Sequence, residues 1–241
     1  MDCPYLPKGS PKSLVCDGEY HTLVGTDIKK VCPLVTEAWV WATQFGVRGD
    51  RPYLFDTYRI LPGNEEAIVT IMSWAESPCG IIILSALPGR GKSRLALSVW
   101  YRIRRSLRKC IIVSATGFHE LAVMHSKGED TRGLMKAYVG VNPVFVDASE
   151  FDGLDIGPDR SVPVVFDDLG SERTSDTFRD YFRQLLNYHE NILITTNHTK
   201  ETLGSLLGGR VESRLASATW LYLVGEDMRK VKFVGCGDAD E

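Results

Sequence analysis

Apolar positions along this chain recur with two periods, and the switch between them marks its elements. Ile81-Ile82-Ile83-Leu84 is a run of four aliphatic residues bounded by Gly80 and a Pro/Gly loop. It is too short for an independent helix and reads as a strand buried on both faces, the kind found in a parallel sheet. Beyond the loop the period becomes helical, with Leu95, Ala96, Val99 and Ile103 on one stripe. Further strands are predicted at Cys110-Ile111-Ile112-Val113-Ser114, at Val162-Pro163-Val164-Val165-Phe166, at Ile192-Leu193-Ile194-Thr195-Thr196-Asn197 and at Trp220-Leu221-Tyr222-Leu223-Val224. Helices are predicted over residues 34–45, 65–74 and 117–125. One more opens at a Thr174-Ser175 cap and carries Phe178, Tyr181, Phe182, Leu185 and Leu186 on one face.

The first strand, its loop and the following helix are the context that a phosphate-binding loop needs. In Ala86-Leu87-Pro88-Gly89-Arg90-Gly91-Lys92-Ser93-Arg94 the glycines let successive amide N–H groups turn inward as an anion nest. The helix starting near Lys92 adds its positive dipole end. Lys92 is expected to reach the β- and γ-phosphates of ATP, and the Ser93 hydroxyl to coordinate Mg²⁺. Ala86 stands where the motif GxxxxGK[ST] has its first glycine. Asp167-Asp168, at the carboxyl end of a strand, places carboxylates where an open α/β sheet gathers its ligand groups. Asp167 is expected to hold Mg²⁺, directly or through water, and Asp168 to orient or deprotonate the attacking water. Val144-Phe145-Val146-Asp147 offers a similar pattern, but lacks the capped helix and polar-ended strand that come after Asp168.

Composition narrows the class. With 241 residues, 44% hydrophobic and 24% charged, the chain can bury one ordinary core with a small appendage. No apolar run approaches a membrane span, and Met1-Asp2-Cys3-Pro4 lacks the basic start of a secretory signal, so the expected location is the cytoplasm, bacterial or phage-infected. The net charge of −3 argues against bulk nucleic-acid binding and leaves room for a local patch. One candidate patch is the run Arg102, Arg104, Arg105, Arg108 and Lys109, although cations also suit a helix C-terminus.

Residues 1–45 read as a small N-terminal module that binds a partner, followed after a linker at residues 46–52 by the main domain, 46–241 in all. Cys16 and Cys32 suit two metal-binding knuckles, with Cys3 and His21 as further zinc ligands, although each knuckle has one Cys where structural zinc sites usually offer a pair. The stretch 126–162 is long, acidic and Gly-rich and reads as partly loop.

Four segments together resemble the DnaC/DnaI/IstB group of AAA+ ATPases: Pro88-Gly89-Arg90-Gly91-Lys92-Ser93, Phe166-Asp167-Asp168-Leu169-Gly170-Ser171-Glu172, Thr195-Thr196-Asn197 and Gly209-Arg210-Val211-Glu212-Ser213-Arg214-Leu215. The resemblance covers residues 53–224. It implies a P-loop NTPase with a five-stranded parallel sheet in the order 5-1-4-3-2 flanked by helices, and an ATPase that is slow before assembly. It also implies Asn197 as the sensor of the γ-phosphate, Arg214 as an arginine finger and Arg210 as its neighbouring candidate. Implied partners are a replicative helicase to be loaded onto single-stranded DNA in phage or mobile-element replication, and further copies of the chain in a ring or spiral. A transposase helped by an IstB-like ATPase is the alternative. Departures are Ala86, Ser93 in place of the usual Thr, a longer segment at 139–163, and little room for a C-terminal lid.

Overall fold

The computed structural model describes residues 14–16, 20–23, 29–49, 51–106, 108–127, 160–171 and 175–228. Five parallel strands form its centre: β4 (Ile81–Ser85), β5 (Ile111–Ser114), β6 (Val164–Leu169), β7 (Ile192–Thr196) and β8 (Thr219–Tyr222), arranged β5-β6-β7-β4-β8. Counted from β4 as the first, this is the expected order 5-1-4-3-2. In the central strands successive side chains alternate between two apolar layers, which is why they lack a polar face. Ile82 and Leu84 join Ile112, Val165 and Leu193 under one layer, while Ile83 joins Ile111, Val113, Phe166 and Ile194 under the other.

The first layer is covered by α1 (Pro33–Gln44), α2 (Glu65–Glu76) and α3 (Lys92–Arg105). The second is covered by α4 (Ala115–Ser126), α5 (Asp176–Tyr188), α6 (Lys200–Leu207) and α7 (Gly209–Leu215). The helix α4 begins at Ala115, two residues before the expected start, because the Ser114 hydroxyl caps it by accepting the Gly117 N–H at 3.1 Å. Ser175 does the same for α5 through the Phe178 N–H. The last strand closes at Tyr222, short of the expected Val224, where the backbone instead pairs with the Asn64 side chain.

The basic run that starts in the last turn of α3 is largely committed to packing. Arg102 pairs with Glu76, Arg104 with Glu37 of α1 at 3.6 Å, and Arg108 donates to the Ala75 carbonyl at 2.6 Å at the end of α2. Strands β1 (Leu14–Cys16), β2 (Tyr20–Leu23) and β3 (Lys29–Val31) form a separate antiparallel sheet ahead of α1. Residues 128–159, which hold Val144-Phe145-Val146-Asp147, lie outside the described set.

Candidate phosphate and metal site

At the carboxyl edge of the sheet, β4 runs into the loop and α3. Gly89 and Gly91 have φ of +81° and +80°, a region open to glycine at little cost. Space demands the same residue at Gly91, where a Cβ would lie 2.9 Å from the Tyr58 hydroxyl oxygen. Gly91 is the N-cap of α3 and has no side-chain oxygen to give, so the first amides of the helix are not capped by it. Ala86, the departure from the motif, is buried, and its N–H donates to the Thr196 carbonyl at 3.2 Å. A methyl group is accommodated there.

Lys92 is only 6% exposed, and its ammonium donates to the carbonyls of Ala86 at 2.8 Å and Leu87 at 3.1 Å and to Asn197 Oδ1 at 2.7 Å. The other end of the Asn197 amide donates to Asp168 Oδ1 at 2.8 Å. Lys92, Asn197 and Asp168 are therefore one continuous chain of polar contacts. Asp167, 3% exposed, accepts from the Thr195 hydroxyl at 2.6 Å and from Ser93. Burial pushes its carboxyl up to about 6, against the hydrogen bonds from Thr195 and Ser93 and the Lys92 charge, which pull it down, and Asp168, which pushes it further up. A buried carboxylate held beside a serine hydroxyl is a hard oxygen donor set of the kind that Mg²⁺ takes.

The loop is braced from outside as well. The Tyr58 hydroxyl donates to the Arg90 carbonyl at 3.4 Å, and burial pushes its pKa up to about 12. Arg90 donates to the Leu223 carbonyl, and the Met228 N–H to the Gly89 carbonyl at 2.8 Å. Arg94 turns away from the loop and donates to Thr57.

Five of the residues read from the sequence, Lys92, Ser93, Asp167, Asp168 and Asn197, thus converge. Arg210 and Arg214 do not join them: both are exposed on α7. Of the zinc candidates, Cys16 and His21 face each other in the β1–β2 register, Cys32 is buried at the start of α1, and Cys3 lies outside the described residues. Among the described residues no three His, Cys, Asp or Glu side chains are grouped to hold a metal. Sequence reasoning missed Thr195 and His198. The signal was the polar end of an otherwise apolar strand, of which only Asn197 stood out as a candidate.

The sheet order, the glycine loop and the lysine and acids at its edge are those of the P-loop AAA+ fold. Solved structures with this fold include the DnaC helicase loader, 22% identical over 73% of this chain and 100% of that one with a TM-score of 0.55. AMPPCP-bound DnaA from Aquifex aeolicus is 19% identical over 75% of this chain and 53% of its own, with a TM-score of 0.55. DnaI is 18% identical over 75% of this chain and 94% of its own, with a TM-score of 0.50. No family model and no curated protein matches the sequence.

Proposed function

We propose that this chain binds and hydrolyses ATP as a helicase loader, placing a replicative helicase on single-stranded DNA. One observation carries the enzymatic part: Lys92, Asn197 and Asp168 form a connected polar chain directly beside the buried Asp167–Ser93 pair. The backbone of residues 86–94 would hold the nucleotide phosphates, and Ser93 with Asp167 would hold Mg²⁺, which supplies charge neutralisation at the phosphates. Lys92 binds the phosphoryl oxygens as a point charge. Asp168 orients the attacking water and takes its proton, and Asn197 keeps that carboxylate in line with Lys92. The name of the DnaC neighbour supports the loader over a transposase helper.

The remaining assignments belong to the same reading. Residues 1–45 recruit the helicase, residues 46–241 form the ATPase domain, and the chain works in the cytoplasm as a ring or spiral. Arg214, with Arg210 beside it, completes the site of a neighbouring copy. Zinc on Cys3, Cys16, His21 and Cys32 is outside the proposal.

Two variants test the site. Lys92→Ala should abolish ATP binding, since the charge that meets the phosphates is gone. Asp168→Asn should keep ATP bound and lower turnover by at least about tenfold. Equilibrium binding of ATP and phosphate release measure both. Wild-type affinity and turnover in Lys92→Ala would remove the nucleotide from the proposal; loss of binding in Asp168→Asn would exchange the roles of the two acids.

A further inference from the structure

The strand β6 carries one residue too many as it passes Thr195. Phe166 pairs with Ile194 and Leu169 with Thr196, so Asp167 and Asp168 together face Thr195 alone. The bulge puts Asp168 at φ +62°, a conformation that residues with a side chain rarely adopt. Thr195, fully buried, serves both members of the bulge with one hydroxyl. Its proton goes to Asp167 Oδ1 at 2.6 Å, and its oxygen accepts the Asp168 N–H at 2.8 Å. Neighbouring side chains hold the rest of the turn: Asn197 holds the Asp168 carboxylate, Ser171 donates to the Asp168 carbonyl at 2.8 Å, Thr196 donates to the Leu169 carbonyl at 2.7 Å, and the His198 ring lies 3.1 Å from the Gly170 carbonyl.

We propose that Thr195 is a positioning residue for ATP hydrolysis, fixing Asp168 in its left-handed backbone so that its carboxylate stays on Asn197. This rests on the nucleotide-site reading above. Valine matches threonine in shape and supplies neither contact, whereas serine keeps both. Without the hydroxyl the Asp168 amide loses this acceptor, and only Ser171 on the Asp168 carbonyl resists relaxation of the bulge towards ordinary extended backbone, which would carry the carboxylate away from Asn197. Lys92 keeps its own supports at Ala86 and Leu87, and Asp167 keeps its hydrogen bond from Ser93. The effect therefore falls on turnover and spares binding.

The test compares Thr195→Val with Thr195→Ser in the full chain. Equilibrium binding of a fluorescent ATP analogue, kcat at saturating ATP and hydrogen exchange at the Asp168 amide in nucleotide-free protein are measured. Thr195→Val should lower kcat by about tenfold or more, with affinity within about threefold of wild type and faster exchange at Asp168. Thr195→Ser should stay within about threefold of wild type in kcat. Should Thr195→Val fail to fold, Thr195→Ala carries the same expectation. An unchanged kcat or unchanged exchange in the hydroxyl-free variant overturns the proposal. So does a Thr195→Ser protein that loses kcat and affinity together, which would mark a structural role. If Lys92→Ala binds the analogue as wild type does, the nucleotide reading itself has failed and the proposal falls with it.

Discussion

Asp167 is held in its charged form at a cost, and pH exposes that cost. Burial raises its carboxyl from 3.8 to about 6, so the folded chain holds this proton more tightly than the unfolded chain does. The stability that comes from this group is fully present below about pH 4 and is lost as pH rises through about 6. Asparagine keeps the acceptor for Thr195 and removes the charge. With a chelator present, Asp167→Asn should therefore be more stable than wild type at about pH 7.5, by on the order of 2 kcal/mol, and should lose that advantage near about pH 4. Thermal melts of the two proteins at both pH values measure it; an advantage that does not change with pH would contradict the assigned cause. At this scale the acids and the lysine were legible because their types and spacing suit the chemistry of phosphate and magnesium. Thr195 was not, since its task exists only once β6 bulges, and an extra residue in a strand leaves no mark on an apolar pattern.

Helix α1 shows what periodicity can place and what it leaves open. Its stripe of Leu34, Val35, Ala38, Trp39, Ala42 and Phe45 predicted a helix docked on the main domain; Leu34, Val35, Ala38 and Ala42 are buried in one cluster with Tyr53, Trp100 and Tyr101, but Trp41 is the tryptophan turned inward, Trp39 is exposed and Phe45 is only partly buried. Glu37, its carboxyl raised by burial and partly relieved by Arg104, ties the same helix to α3. Periodicity does not say which residues ahead of the helix can be removed without uncovering α3. Deleting residues 1–31 leaves the α1 face intact, whereas deleting 1–45 strips the cover from Trp100 and Tyr101. The shorter deletion should keep a melting temperature near that of the full chain and still bind ATP, and the longer one should melt many degrees lower because several large apolar side chains return to water. Equal melting temperatures for the two truncations would show that the contacts of α1 contribute little to stability. Loss of helicase recruitment in both, read by co-purification, is the outcome that assigns the partner contact to the residues before α1.

For the molecule as a whole, strand order is the feature that local pattern could not supply. Ile81–Ser85 and Ile192–Thr196 are equally apolar, and only the resemblance put them side by side; their parallel pairing, with Ser85 opposite Thr196, is what brings the loop and Asn197 to one edge. Lys92 lies there on Ala86 and Asn197, and neither Arg210 nor Arg214 of the same copy joins it to supply a second cation for the charge that would develop on a transferring phosphoryl group. Both arginines are exposed on α7, and neither forms an ion pair with a described residue, although Glu212 lies between them in sequence. Arg210 borders a groove against α5 that also contains Arg179 and Arg183, each held by its own acid, Asp176 and Asp180. An arginine supplied from a neighbouring copy is worth on the order of 10³–10⁵ in rate, so an isolated copy should hydrolyse ATP slowly, and specific activity should rise with protein concentration. Mixing provides the decisive measurement. Arg214→Ala lacks the finger and Lys92→Ala lacks the loop charge, so each alone should be inactive. A mixed assembly contains some interfaces that join an intact Lys92 site to an intact Arg214, and activity should return at those interfaces in proportion to their number. If the two variants fold and co-assemble and the mixture stays inactive, Arg214 does not act across the interface.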